Sequence, residues 1–293
     1  MNNHIIRCVA LALVVFALAA CGDNLEPTQP QDPKSTPMTF VVDYPGQTRA
    51  TATDFELGDR IGLYVADAKE PLELAGNLVN NEALTFDGNK WEAGRTLYWD
   101  EGTYHAYYPY MQDVTSVTDL PFSVSTDQST SKTATALGGY EASDLLFATI
   151  KDVKASDSPV RLTFKHIMSK LKIRLIKGED FEGDMPTTAK VYIHNTVPTA
   201  TIDLQAGVAT RYVKGTRQTI VAHQDGDTSY SAIIVPQRID NRQPLVEVEM
   251  MGVSYLFESK FLFKPGTEHL VNLVISENPD KVKINIGGEK QNW

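Results

Sequence analysis

Cysteine is nearly absent: the 293 residues hold two, Cys8 and Cys21. With none beyond position 21, a disulfide or a thiolate metal site in the body is excluded, and burial of a core must hold the fold. Clustered basic residues are also missing. Lys and Arg number 27 against 37 Asp and Glu, the net charge is −10, and the basic residues are scattered. An acidic chain of this kind does not seek phosphate backbones, so nucleic acid is disfavoured as a partner. The six histidines include no i,i+4 pair, and HExxH, GxSxG, a P-loop and a GxGxxG after a strand are all lacking. No catalytic residue, metal ligand or cofactor is therefore assigned. Paired carboxylates from distant positions are the one enzymatic arrangement left open. Helical periodicity over twelve or more residues and tight internal repeats are missing too. What is present is 42% apolar residues, enough for a packed core in one large or two ordinary domains.

The first residues read as a targeting segment. Arg7 precedes the apolar run 9–20, which has signal-peptide length and is short for a membrane span of about 20 residues. It ends in Leu18-Ala19-Ala20-Cys21, a bacterial lipobox. Residues 1–20 are then a lipoprotein signal peptide, and Cys21 becomes the lipidated first residue, held at a membrane by several acyl chains. The competing reading is a plain signal peptide cut at an Ala-x-Ala-like site. Residues 21–37, with four prolines among Gln, Asp and Ser, form an extended tether.

Residues 38–50 join a short strand to a basic loop. Phe40, Val42 and Tyr44 share one face of a period-2 pattern, with Met38 in register. Pro45-Gly46 ends the strand, and Arg49-Ala50 lies in a polar loop open to proteolysis. A strand tied on by a cleavable loop is removable, and its removal would leave an open sheet edge and an apolar groove. The plainer reading is an ordinary first strand followed by an arginine.

The body reads as strands throughout. Short alternating runs are separated by turns at about 8–12-residue spacing, the pattern of antiparallel sandwiches. Asp87-Gly88 signals a hairpin. The expected fold is all-β, with one sandwich domain over 38–156 (38–49 its removable strand and loop) and a second over 157–293. The boundary is drawn in the polar 151–159 connection, with the 178–186 loop as the alternative. His166 interrupts an apolar strand and reads as a hydrogen-bonded structural histidine at a kink rather than a catalytic one. Tyr98, Trp99, Tyr104, Tyr107, Tyr108 and Tyr110 form an aromatic run. Core packing is the preferred reading, and Trp99 and Tyr107 are the candidates if a ligand is contacted.

Several motifs in order carry a resemblance. They are the lipobox, Arg49-Ala50, Phe55-x-x-Gly58-Asp59-x-Ile61-Gly62-Leu63-Tyr64, Trp91-x-x-Gly94 with Tyr98-Trp99, Ala106-Tyr107-Tyr108-Pro109, Ser143-Asp144-Leu145-Leu146-Phe147-Ala148, Leu162-x-Phe164-x-His166-x-Met168-Ser169-Lys170-Leu171, and Tyr230 with Ile234-Val235-Pro236-Gln237. In these the chain resembles the fimbrillin-like lipoproteins of Bacteroidia, the type V pilins. The resemblance implies two transthyretin-like β-sandwich domains and a structural protein rather than an enzyme. It implies export to the outer membrane on a lipid at Cys21, then cleavage between Arg49 and Ala50 by an arginine-specific protease. It further implies loss of the strand bearing Phe40, Val42 and Tyr44, and its replacement by a strand of another fimbrial subunit in a surface fimbrium. The matching donor segment here carries Val282, Ile284 and Ile286 on one face; its other reading is a last strand tucked into its own sheet. The alternative role is an uncleaved surface lipoprotein, a fimbrial anchor or a tip adhesin binding a glycan or host protein.

Overall fold

The chain divides into units 1–32 and 33–293. The computed structural model describes residues 35–45, 54–291 and 293, all in the second unit. The first half supplies β1 (Phe40–Asp43), β2 (Arg60–Asp67), β3 (Val79–Phe86), β4 (Trp91–Ala93), β5 (Gly102–Tyr108), β6 (Leu120–Ser123), the helix α1 (Gly139–Ser143), β7 (Leu146–Val153), β8 (Val160–Thr163) and β9 (Lys165–His166). The second supplies β10 (Ser169–Lys177), β11 (Lys190–Thr196), β12 (Thr199–Asp203), β13 (Val208–Arg211), β14 (Gln218–Val221), β15 (His223–Gly226), β16 (Ser229–Ile234), β17 (Gln237–Met250), β18 (Val253–Phe263), β19 (Thr267–Ile275) and β20 (Lys283–Gln291). The protein is all-β. The Asp87-Gly88 hairpin forms as expected, with Gly88 at φ 93° between β3 and β4.

One sheet runs in the order β4-β3-β2-β5-β7-β9, and β1 pairs with β8 as a separate ribbon. The six-stranded sheet is buried on both faces. Ile61, Leu63, Val65, Tyr104, Ala106, Tyr108, Leu146 and Ala148 enter a first core shared with the ribbon. Tyr64, Ala66, Tyr107 and Phe147, on the opposite face, enter a second core built mostly from the second half. Covering both faces explains why β2 and β5 are buried almost from end to end. Close packing on the second face is enforced at Gly207, whose φ of 66° and a Cβ position 2.1 Å from the Phe147 ring admit only glycine.

The second half forms sheets β15-β16-β10-β19-β20 and β14-β11-β17-β18, with a third, β13-β12-β6, that borrows β6 from the first half. Two pairings depart from the antiparallel expectation: β1–β8 and β10–β19 are parallel. Parallel partners need long connections, and such distant pairings leave no local signature. Residues 157–166, which the sequence assigns to the second domain, include β8 and β9. Those strands pair with β1 and β7, and Val160, Leu162 and Phe164 lie in the first core. The short polar strands β13 and β15 escape sequence reading because little of them is apolar.

Candidate functional site

The β1 ribbon and its surroundings form the candidate site. Alternation puts Met38, Phe40, Val42 and Tyr44 toward the first core. Met38 and Phe40 are each only 8% exposed, and Val42 and Tyr44 are half-buried. The backbone is held from both sides. The Met38 amide donates to the Leu97 carbonyl at 2.7 Å, while the Val160 and Phe164 amides donate to the carbonyls of Thr39 (2.9 Å) and Asp43 (3.0 Å). The Tyr104 hydroxyl reaches Met38 Sδ at 3.2 Å. On the solvent side Arg161 Nη1 donates to both Asp43 oxygens, at 2.7 and 3.0 Å. That exposed pair contributes little beyond register.

Beyond residues 46–53, Phe55 anchors the chain. Its ring meets Tyr44, Trp91, Tyr108 and Phe164 edge-on, with centroids 5.0 to 5.9 Å away. Burying Met38, Phe40, Val42 and Tyr44, on β1 and its two flanks, contributes on the order of 6–10 kcal/mol, an upper figure. Total stabilities are about 5–15 kcal/mol, so the packing of this segment is a large share of what holds the first core.

A buried polar chain starts at the end of β1. The Tyr44 hydroxyl donates to Asp144 Oδ2 at 3.3 Å, and Asp144 Oδ1 lies 2.8 Å from His166 Nδ1. Burial, and next the Asp144 carboxylate, push the Tyr44 phenol well above its ordinary pKa, so it stays a donor. A face of the His166 ring carries Trp293, stacked with centroids 3.9 Å apart and planes at 14°. The structural reading of His166 holds: the ring is 3% exposed, hydrogen-bonded, and sits where the chain passes from β9 to β10. Among the described residues no group of three His, Cys, Asp or Glu could hold a metal ion.

A family model described as fimbrillin-like matches residues 48–293. The chain belongs to the fimbrillin-like family. A Bacteroides ovatus protein provisionally named fimbrium tip subunit Fim1C is 30% identical over 121 residues, 38% of this chain and 22% of that protein. The fimbrillin-like chain thus spans about a fifth of this curated relative in the match. A provisionally named cell adhesion protein of Bacteroides ovatus superposes with a TM-score of 0.66 at 20% identity, over 88% of this chain and 98% of its own. Another from Bacteroides uniformis gives 0.66 at 22% identity, over 87% and 98%. At these identities the two structures speak for the fold alone. The family is one of fimbrial structural proteins, not enzymes.

Of the residues singled out from sequence, Cys21, Arg49 and Ala50 lie outside the described residues. Phe40, Val42 and Tyr44 share one face, as expected. Val282 and Ile284 pack half-buried against the second core, and Ile286 is 57% exposed. The last two lie on β20, which pairs antiparallel with β19 in its own sheet. Gly287-Gly288 form a bulge opposite Leu270, whose carbonyl oxygen would be 2.9 Å from a Cβ at position 287.

The ligand role for Trp99 and Tyr107 is corrected. Trp99 is 5% exposed in the first core, and Tyr107 is 1% exposed in the second, its hydroxyl 2.7 Å from Asn81 Oδ1. Neither ring can stack on a ligand from solvent, and core packing, the preferred reading, accounts for both. Sequence reasoning missed Trp293. Its only signal was one large aromatic after the polar stretch Gly-Gly-Glu-Lys-Gln-Asn.

Proposed function

We propose that this chain is the precursor of a fimbrial subunit on the cell surface. It is exported as a lipoprotein on Cys21, matured by an arginine-specific protease between Arg49 and Ala50, and assembled with other fimbrial subunits by strand exchange. The observation that carries this reading is the construction of β1. Among the described residues its ladder partner is β8, the alternate side chains from Met38 to Tyr44 fill one face of the first core, and residues 46–53 connect it to the body. A cut between Arg49 and Ala50 would leave β1 held to the body by non-covalent contacts alone. A strand with the same period-2 apolar row would restore both the backbone pairing and the packing. The two cores support reading the body as two sandwich domains, with the boundary moved to the turn between β9 and β10.

Arg49→Ala is expected to leave export intact and abolish fibres. Terminal sequencing of wild-type material shed from cells should start at Ala50. Normal fibres from the variant, or shed chains starting at Cys21, would overturn this reading.

A second reading places the chain at a fimbrial end, as a tip or anchor that accepts a strand and donates none. It is favoured by β20, which is already paired along β19 and bulged at its glycines. Immunogold labelling separates the two: signal along the fibre means stalk, and signal confined to one end means tip or anchor.

A further inference from the structure

β20 is held in an unusual way. Nearly all of its side chains are exposed, and the apolar contacts near its start are the half-buried Val282 and Ile284. Apart from pairing with β19, its hold is concentrated at the other end. Glu289 accepts from Lys264 Nζ at 2.6 Å and lies 3.5 Å from His269 Nδ1. The Thr267 hydroxyl donates to Gln291 at 3.1 Å. Beyond them Trp293, only 8% exposed, is the largest buried side chain of the segment. Lys170 Nζ lies 6.0 Å from its ring centroid and pairs with Glu268 at 3.0 Å.

The surface that receives Trp293 belongs to the neighbourhood of β1. Its stacking partner, His166, meets the Tyr44 ring edge-on at 5.9 Å and is oriented through Asp144, which also accepts from Tyr44. Among the described residues His166 Nε2 is buried without a hydrogen-bond partner, and the polar tether of the ring is the one to Asp144. Tyr44 touches both members of the Asp144–His166 pair, through its hydroxyl and its ring. Without Tyr44 the carboxylate loses a donor and the His166 ring loses its edge contact. A buried polar network that is partly satisfied is costly and rearranges.

We propose that Trp293 is a latch on β20, and that β1 keeps the latch closed through Tyr44, Asp144 and His166. Loss of β1 then loosens β20. The biological use of the latch rests on the reading that β1 is removed by cleavage. In that setting the strand able to invade another subunit stays docked on its own sheet while the tethered β1 is in place, and becomes available once β1 has gone. Acceptor groove and donor strand would open in one event.

Hydrogen exchange of the β20 amides in the folded, uncleaved chain tests the coupling. Tyr44→Phe removes one hydroxyl and leaves the strand's apolar row. It should speed exchange in β20 by about tenfold while amides of β10 are unaffected. Trp293→Ala should do at least as much, and adding Tyr44→Phe to it should add little, the mark of coupled sites. Val42→Ala weakens β1 without touching Tyr44, Asp144 or His166 and should speed β20 clearly less than Tyr44→Phe does. Unchanged β20 exchange in Tyr44→Phe, additive effects in the double variant, or an equal effect of Val42→Ala would overturn the proposal. None of these measurements needs cleavage. Normal fibres from Arg49→Ala would therefore remove the cleavage reading and leave the coupling standing or falling on its own result.

Discussion

His105 and His269 are 5% and 2% exposed, and burial lowers both pKa values. The Leu204 carbonyl, for His105, and Glu289, for His269, act against that shift without reversing it. Above the unfolded value of about 6.5 both states are neutral and the rings cost nothing. Below it the unfolded chain takes up protons that the native state resists, so stability falls with pH until the depressed native pKa is passed. Lowering the pH from about 7.5 to about 5.5 should therefore lower Tm, and the pair His105→Gln and His269→Gln should flatten that slope. An identical slope in the double variant would show that other groups control it. Glu247 and Glu289, whose pKa values are lowered from 4.5, act below this window. At this scale the sequence was legible in kind more than in partner. That His166 needed a hydrogen bond followed from a polar ring in an apolar run. That the bond would come from Asp144, 22 residues away, and the stack from Trp293 did not.

Most strands with one apolar face were legible; the first part of β3 was not, because residues 66–84 fit a helical turn or a long loop as well. The row Met38, Phe40, Val42 and Tyr44 was readable because period-2 alternation is local. Its partner was not, because β8 lies in a distant segment and pairs in parallel. The balance of terms at β1 predicts the effect of truncation. Phe40→Ala should lower stability by about 3–5 kcal/mol in urea denaturation. Ile286→Ala on β20, at a position 57% exposed, should stay within about 0.5 kcal/mol. Equal effects of the two changes would mean that β1 is not a structural part of the first core. Trp99 illustrates the same logic: it is buried while Tyr98 beside it is 53% exposed, as alternation requires, and sequence could not say which of the two faced inward.

The second core joins the halves. Tyr64, Tyr107, Leu145 and Phe147 from the first half lie in it, and β6 pairs with β12 of the second. Unfolding either half alone would expose part of the other's core. Urea should therefore unfold residues 33–293 in one transition, with intrinsic fluorescence and far-UV circular dichroism coinciding. Two separated transitions would show that the halves are energetically independent. Sequence by itself determined the all-β class, the reliance on burial without a disulfide in the body, and the apolar face of many strands. Each of these follows from composition or from spacing along a few residues. Tertiary structure alone decided that the six-stranded sheet is covered on both faces, that β1 lies parallel to β8, and that Tyr44 and Trp293 meet across His166. The physical reason is that alternation specifies a face to be buried, while the surface that buries it is chosen by packing between segments far apart in the chain.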